Sequence, residues 1–207
     1  HNRQSLRIVD YLEHPYPHFR GLNLTRAVRE CLARHESRYD LPEDREEFDP
    51  ELNGPVEGQI VDLADEIAYT AADVEDSIMA GWITGEQLDG LELWRRSFRG
   101  VEDAAPDARP IHKQIRATKG LLNVLGMDLL AASAERLQAA GIRTLDDVRH
   151  ARGKCIVLSA GVAEALDEMR RFLFENVYRD PRNADQEAVS RQKLRELFAA
   201  LTDNPSL

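Results

Sequence analysis

Apolar residues recur at intervals of three and four along most of the chain, and this spacing is typical of amphipathic helices. No segment shows the sustained alternation of apolar and polar residues that marks a half-buried strand. We therefore predict an all-α fold. The predicted helices cover about residues 2–13, 25–35, 59–80, 85–98, 111–140, 161–178 and 184–201, with a short helical turn after residue 144.

Residues with strong local preferences indicate where several of these helices begin and end. Asn23 or Thr25 is the expected N-cap of the second helix, and Thr84 is the expected N-cap of the fourth. Gly141 is suited to close the long helix, because glycine readily adopts the left-handed backbone conformation found after many helices. The segment 37–55 is rich in Asp, Glu and Pro, which predicts a surface loop.

Composition narrows the class of protein. Hydrophobic residues make up 43% of the chain, enough for a core, and the net charge of −10 argues against a surface that coats DNA, since phosphates are bound by Lys and Arg. No apolar run approaches the roughly 20 residues needed to span a bilayer. Cys31 and Cys155 are isolated in the sequence and suit a reducing compartment. We expect a cytoplasmic protein without a membrane span.

The helix predicted from residue 59 has the most unusual surface. At about 100° per residue, one arc of roughly 80° contains only acidic residues and a tyrosine. These are Asp62, Asp65, Tyr69, Asp73 and Asp76. Residues 59–78 include no Lys or Arg. Like charges one turn apart repel by about a few tenths of a kcal/mol, and a cation would relieve that repulsion. On spacing alone, the arc is either a solvated acidic face or a cation site.

Four segments, in order along the chain, are similar to motifs of one enzyme family. They are residues 1–9 (HNRQSLRIV), 21–25 (GLNLT), 62–76 (DLADEIAYTAADVED) and 172–181 (FLFENVYRDP). On these motifs the chain resembles the bacterial deoxyguanosine-triphosphate triphosphohydrolase-like (dGTPase-like) family of HD-domain phosphohydrolases. Asp180 stands where the family usually has His. The resemblance implies the C-terminal part of an HD-domain-like helical core, residues 1–103, followed by a helical C-terminal region, residues 104–207.

The resemblance also implies an activity, namely metal-dependent hydrolysis of deoxynucleoside triphosphates to deoxynucleoside and inorganic triphosphate. In the family the metal is held by an early His, a His-Asp pair and a later Asp, and this chain carries no His-Asp dipeptide. Asp65 matches the later Asp and is the predicted ligand of a divalent cation such as Mg²⁺ or Mn²⁺. Asp62 is the rival and is expected to face solvent or to pair with an arginine. We therefore expect the C-terminal portion of a longer enzyme, inactive by itself.

The remaining site residues rest on the same resemblance. Tyr69 is expected to pack beneath the deoxyribose, and Asp73 to accept a hydrogen bond from the 3′-hydroxyl. His1 is the expected catalytic residue, protonating the leaving 5′-oxygen, and Asn2 is expected to line the phosphate pocket. Arg34 lies near a family lysine that reaches phosphate, although it could equally stabilise the C-terminus of its own helix.

Partners are expected on two grounds. The family forms ring-like oligomers, often hexamers, which implies a homo-oligomer. A basic cluster shares one face of the helix predicted from residue 111, and it could bind single-stranded nucleic acid or a nucleotide, form a subunit contact, or stay solvated. The cluster consists of Arg109, His112, Lys113, Arg116 and Lys119. The alternative function is a nucleotide-sensing or single-stranded nucleic-acid-binding regulator on the same scaffold, which loss of the upstream metal motifs would favour.

Overall fold

The computed structural model describes residues 1–36 and 47–204, and for residues 183–186 it describes the backbone alone. Within the described ranges the secondary structure is entirely helical, which confirms the all-α prediction. The helices are α1 (Asn2–Arg7, continued by a π-helical turn Ile8–Leu12), α2 (Arg26–Arg34), α3 (Val56–Met79), α4 (Gly85–Leu88), α5 (Glu92–Ala104), α6 (Pro110–Ala139), α7 (Leu145–Arg149), α8 (Ala160–Leu173, continued by a π-helical turn Phe174–Tyr178) and α9 (Pro181–Asp203). Part of the predicted loop 37–55 lies outside the described residues.

Contacts divide the chain into two compact units made of alternating segments. The first unit comprises residues 1–71 and 119–163, and the second comprises residues 72–118 and 164–207. The three boundaries fall within helices, after residue 71 in α3, after residue 118 in α6 and after residue 163 in α8. The division at residue 103 into a catalytic core and an extension stays a prediction, because compactness does not identify a catalytic core.

The turn before α2 shows why the GLNLT segment has its residue types. Gly21 has a backbone φ of +80°, and a Cβ atom there would lie 2.4 Å from the carbonyl oxygen of Asp10. Asn23 also has a positive φ, of 53°, which asparagine tolerates better than most residues. Thr25 is the N-cap, as predicted, and its hydroxyl accepts a hydrogen bond from the Val28 amide. The motif is therefore a helix entry.

A buried ionic cluster joins α2 to α7 in the first unit. Both carboxylate oxygens of Glu30 accept hydrogen bonds from the Arg149 guanidinium, at 2.9 and 2.6 Å. Arg34 donates from Nε to the same carboxylate at 2.9 Å. The Glu30 side chain is only 1% exposed. Burial works to raise the pKa of Glu30, but the bonds from both arginines outweigh burial and lower it.

The second unit has its own apolar core, and its α4–α5 region corrects a prediction. Buried apolar side chains come from α3, α5 and α8, among them Val74, Leu93, Trp94, Met169 and Leu173. Thr84 caps α4 with a reciprocal capping box, as predicted. However, the single helix predicted over residues 85–98 is wrong, because the chain breaks between α4 and α5. Arg95 donates to the carbonyl oxygens of Asp89 and Gly90, at 3.2 and 2.9 Å, and so stabilises the break.

One further helix boundary was predicted only approximately. Helix α9 begins at Pro181, three residues before the predicted start, because the Asp180 carboxylate accepts from the Arg182 amide and caps the helix. Within the described ranges, no helix is both long and apolar enough to cross a membrane.

Candidate active site

The first half of the acidic arc lies in the first unit, and its carboxylates differ in their surroundings. Asp62 is half-buried, and its Oδ1 lies 2.6 Å from Nδ1 of His35 at the C-terminal end of α2. Burial raises the pKa of Asp62, and the hydrogen bond with His35 opposes that rise. The expectation that Asp62 faces solvent or pairs with an arginine is therefore wrong, since its partner is a histidine 27 residues earlier in the chain.

Asp65 lies beside an open groove on the same unit. The groove has a volume of about 480 Å³, and both apolar and polar side chains line it. The apolar residues include Val28, Leu32 and Val61, and the polar residues include His35, Asp62 and Asp65. The Asp65 side chain is exposed, whereas Asp62 is held by His35. Of these two carboxylates, Asp65 is the better placed to meet a ligand from outside.

The described residues do not by themselves complete a metal site. Among them, no group of three or more His, Cys, Asp or Glu side chains is arranged to hold an ion. Asp65 can supply one carboxylate oxygen, and divalent cations such as Mg²⁺ usually require several protein, water or phosphate ligands. The donor set within residues 1–36 and 47–204 thus does not fit a complete metal centre.

The N-terminal pair of predicted site residues occupies two different environments. His1 is exposed, whereas Asn2 is buried. The Asn2 side-chain amide donates to the carbonyl oxygens of Ala33 and His35, at 3.3 and 2.7 Å. Asn2 therefore fixes the C-terminal end of α2, including the backbone of the histidine that binds Asp62. Its predicted place in a phosphate pocket stays a prediction.

Arg34 is engaged by protein groups on two sides. Besides its bond to Glu30, it donates from Nη2 to the carbonyl oxygen of Asp49. It also lines a smaller cavity of about 190 Å³, together with Gln59, Asp62 and Lys154 among others. The guanidinium is thus positioned by the ionic cluster, and a role toward phosphate remains a prediction.

The second half of the acidic arc consists of Tyr69, Asp73 and Asp76, and Asp73 makes a contact that the sequence did not indicate. Tyr69 is half-buried and belongs to the first unit. Asp73 belongs to the second unit, and its Oδ2 accepts a hydrogen bond from the Tyr178 hydroxyl in the π-helical turn after α8. Tyr178 lies in the FLFENVYRDP segment, which resembles a family motif. Nothing in the sequence indicated that this tyrosine contacts Asp73, 105 residues earlier in the chain. Asp76 is exposed.

The basic cluster on α6 is partly neutralised or paired. The guanidinium of Arg109 lies 2.9 Å from Nε2 of His112. Lys113 forms an ion pair with Glu102 at 3.8 Å. The single-stranded nucleic-acid partner stays a prediction.

Comparison with known proteins agrees with the motifs. The model of the phosphohydrolase-associated domain matches residues 156–207. Over its full length the chain is 40% identical to a deoxyguanosinetriphosphate triphosphohydrolase-like protein of Geobacter metallireducens, of which it covers 54%. It is 38% identical to a protein of the same description from Geobacter sulfurreducens, also covering 54%. A third such protein, from Syntrophus aciditrophicus, is 31% identical, and 53% of it is covered. The chain therefore spans about half the length of the curated relatives it matches.

The described helical fold and the match to the phosphohydrolase-associated domain agree with a helical region of the kind found with HD-domain phosphohydrolases. Over its full length the chain is thus similar to proteins described as deoxyguanosinetriphosphate triphosphohydrolase-like, in agreement with the resemblance carried by its four motifs.

Proposed function

We propose that this chain is part of an enzyme that hydrolyses deoxynucleoside triphosphates to deoxynucleoside and inorganic triphosphate. The observation that carries the proposal is the position of Asp65, exposed beside a groove on a long helix whose sequence resembles the family's metal-ligand helix. The names of the relatives support a triphosphohydrolase reaction for those proteins. In this reaction water adds to the α-phosphorus, the bond from that phosphorus to O5′ breaks, and O5′ takes up a proton.

The proposal gives each predicted residue one task. Asp65 contributes one ligand to a divalent cation, Mg²⁺ or Mn²⁺, and the other protein ligands come from outside this chain. Tyr69 and Asp73 follow Asp65 at intervals of one helical turn, so that they are suited to the sugar of a bound nucleotide. His1 supplies the proton to O5′, a general-acid role that an imidazole can fill. Asn2 and Arg34 shape the phosphate end of the site.

The experiment compares the 207-residue chain with the complete product of its gene. Manganese binding is measured by isothermal titration, and release of triphosphate from a deoxynucleoside triphosphate is measured alongside it. We expect the complete protein to bind the metal and hydrolyse the substrate, and the 207-residue chain to do neither. Asp65→Ala should abolish both properties of the complete protein, whereas the control Asp76→Ala, at an exposed carboxylate of the same helix, should preserve them.

Each possible result has a defined meaning. Rapid hydrolysis by the 207-residue chain would contradict the assignment of the missing ligands to a region outside it. Retention of metal and activity by Asp65→Ala would remove Asp65 from the site. If the complete protein binds deoxynucleoside triphosphates but does not hydrolyse them with either metal, the proposed reaction is wrong and the regulatory alternative is favoured.

A further inference from the structure

The C-terminal end of α2 brings a histidine side chain to the groove of the first unit. His35 directly follows Arg34, the last residue of α2, and it lines the groove together with Asp65. Its side chain is 26% exposed, so the ring is partly accessible. The groove's volume of about 480 Å³ lies within the range of about 300–1,000 Å³ that is usual for small-molecule sites. None of the tasks in the proposed function uses this histidine.

Asp62 holds the His35 ring from one side. Its Oδ1 lies 2.6 Å from Nδ1 of the ring, and the same carboxylate accepts a hydrogen bond from the Glu36 backbone amide. The Asp62 side chain is only 14% exposed. An ionised carboxylate can only accept hydrogen bonds, so Nδ1 carries the proton that points to Asp62, and Nε2 of the neutral ring keeps its lone pair. The pairing therefore fixes both the orientation and the tautomer of the imidazole.

The remaining ring nitrogen is the one that a ligand can meet. Among the contacts of the residues that the structure describes, none engages Nε2 of His35. The two nitrogens lie on different edges of the ring, and Asp62 occupies the edge of Nδ1. Because the ring lines the groove, a molecule bound there can approach Nε2.

A histidine held in this way has a known use in hydrolases. The carboxylate fixes the tautomer in which Nε2 can accept a proton, and it stabilises the imidazolium that forms when the proton arrives. Such a pair activates a hydroxyl group or a water molecule for attack on an electrophilic centre. The arrangement of His35 and Asp62 therefore fits a general base that acts on a molecule in the groove.

A second contact ties the proposed general acid to the same end of α2. The Asn2 side-chain amide donates a hydrogen bond to the carbonyl oxygen of His35 at 2.7 Å. Asn2 directly follows His1, the residue proposed to protonate O5′. The start of α1 and the end of α2 are thereby joined within the first unit. A hydrolysis that takes one proton from water and gives another to O5′ requires two such groups near one substrate.

We propose that His35 is the general base of the reaction and takes a proton through Nε2 from the water that attacks the α-phosphorus, while Asp62 is its positioning residue. This inference rests on the proposed function, to which it adds a catalytic residue. An O–H bond of the water breaks as its oxygen bonds to phosphorus. The P–O5′ bond breaks, its electron pair stays on O5′, and His1 supplies the proton there. The imidazolium of His35 faces Asp62 and returns its proton to solvent.

Asparagine at position 35 separates catalysis from structure. Its side-chain amide nitrogen takes the place of Nδ1 and can still donate to Asp62, but it offers no basic nitrogen in the place of Nε2. In the complete protein, His35→Asn should lower kcat for triphosphate release at least about 100-fold, whereas KM and manganese binding should change little. Glu57→Gln is the matched control, because Glu57 is an exposed carboxylate that lines the same groove, and it should leave kcat unchanged. Urea unfolding checks that each variant is folded.

Two further variants test the pair. Asp62→Asn removes the charge that faces the imidazolium, and it should lower kcat in the same way. Because the two residues act as one unit, His35→Asn combined with Asp62→Asn should be no slower than His35→Asn alone. In His35→Ala, which removes the whole ring, added imidazole should restore part of the lost rate.

The outcomes separate this inference from the proposed function on which it rests. If the unmodified complete protein hydrolyses the substrate and His35→Asn keeps the full kcat, His35 is not the base, while the proposed reaction stands. Loss of manganese binding in folded His35→Asn would make His35 a metal ligand and would overturn its role as base. Failure of imidazole to restore any rate to folded His35→Ala would also refute that role. Absence of hydrolysis by the unmodified protein would overturn both proposals.

Discussion

Replacing Glu30 by glutamine should destabilise the first unit strongly. The substitution keeps the shape of the side chain but removes the charge that faces Arg149 and Arg34. Breaking a buried ion pair by neutralising one partner typically costs about 3–5 kcal/mol. The two arginines are 17% and 19% exposed, so water compensates them in part. We therefore expect Glu30→Gln to lower the free energy of unfolding by an amount near the lower end of that range, about 3 kcal/mol.

Urea unfolding, monitored by circular dichroism, measures this loss of unfolding free energy in the transition that involves the first unit. In a thermal scan, a loss of about 3 kcal/mol corresponds to roughly 6–12 °C for a protein of this size. Glu102→Gln is the control, because Glu102 is an exposed carboxylate whose ion pair with Lys113 spans 3.8 Å, and such pairs contribute about 0–1 kcal/mol. A double-mutant cycle with Arg149→Gln should show strong coupling between Glu30 and Arg149.

The effect should also depend on pH in a defined direction. The pKa of Glu30 in the folded protein lies below its ordinary value of 4.5. Its stabilising contribution is therefore fully present above pH 4.5 and is lost as the pH falls through the lower folded pKa. The difference between wild type and Glu30→Gln should shrink in that acidic range. A loss no larger than that of the Glu102 control at neutral pH would refute the importance of the cluster.

Three further predictions follow from the turn before α2 and from the proposed sugar site. Gly21→Ala should lower the free energy of urea unfolding by about 1–3 kcal/mol, since the new Cβ would meet the Asp10 carbonyl. The control Gly126→Ala lies within α6, where a Cβ meets nothing within 4 Å, and it should not destabilise the protein. In the complete protein, Tyr69→Ala should lower the ratio of kcat/KM for a deoxynucleotide over its ribonucleotide, and an unchanged ratio in an active variant would exclude Tyr69 from the sugar pocket. Asp73→Asn should weaken nucleotide binding by about 1.5–3 kcal/mol without affecting manganese binding in the titration. Tyr178→Phe removes only the hydroxyl bonded to Asp73, and it therefore shows how much of the lost nucleotide affinity comes from losing that contact.

Local features of the fold were predictable because their determinants lie close together in the sequence. Thr84 and Thr144 each cap a short helix through a residue three positions later, so a few residues suffice to indicate the helix start. The same holds for Thr25. The break between α4 and α5 was missed because its apolar residues continue the helical spacing, while the bonds from Arg95 that stabilise it require the folded chain.

Long-range pairings were beyond prediction from one sequence. The residues near Glu30 do not reveal the pairing that accompanies its burial, since its partner Arg149 lies 119 residues later. His35 likewise lies outside the four segments that resemble family motifs, and its contact with Asp62 depends on the packing of α2 against α3. A hint existed in both cases, namely a charged or titratable residue on a helix flanked by apolar positions, but that pattern is common among solvated helices as well.

The acidic arc of α3 shows how structure separates residues that the sequence presents as equivalent. Its carboxylates share one side of the helix, so spacing alone could not choose a ligand among them. Asp62 is held by His35, and Asp73 is held by Tyr178, so each already has a protein partner. Asp65 and Asp76 are both exposed, but of the two it is Asp65 that lines the groove of the first unit. The proposed ligand Asp65 is thus both the residue that matches the family motif and an exposed carboxylate beside the groove, so Asp65→Ala is the substitution that most directly tests the proposed site.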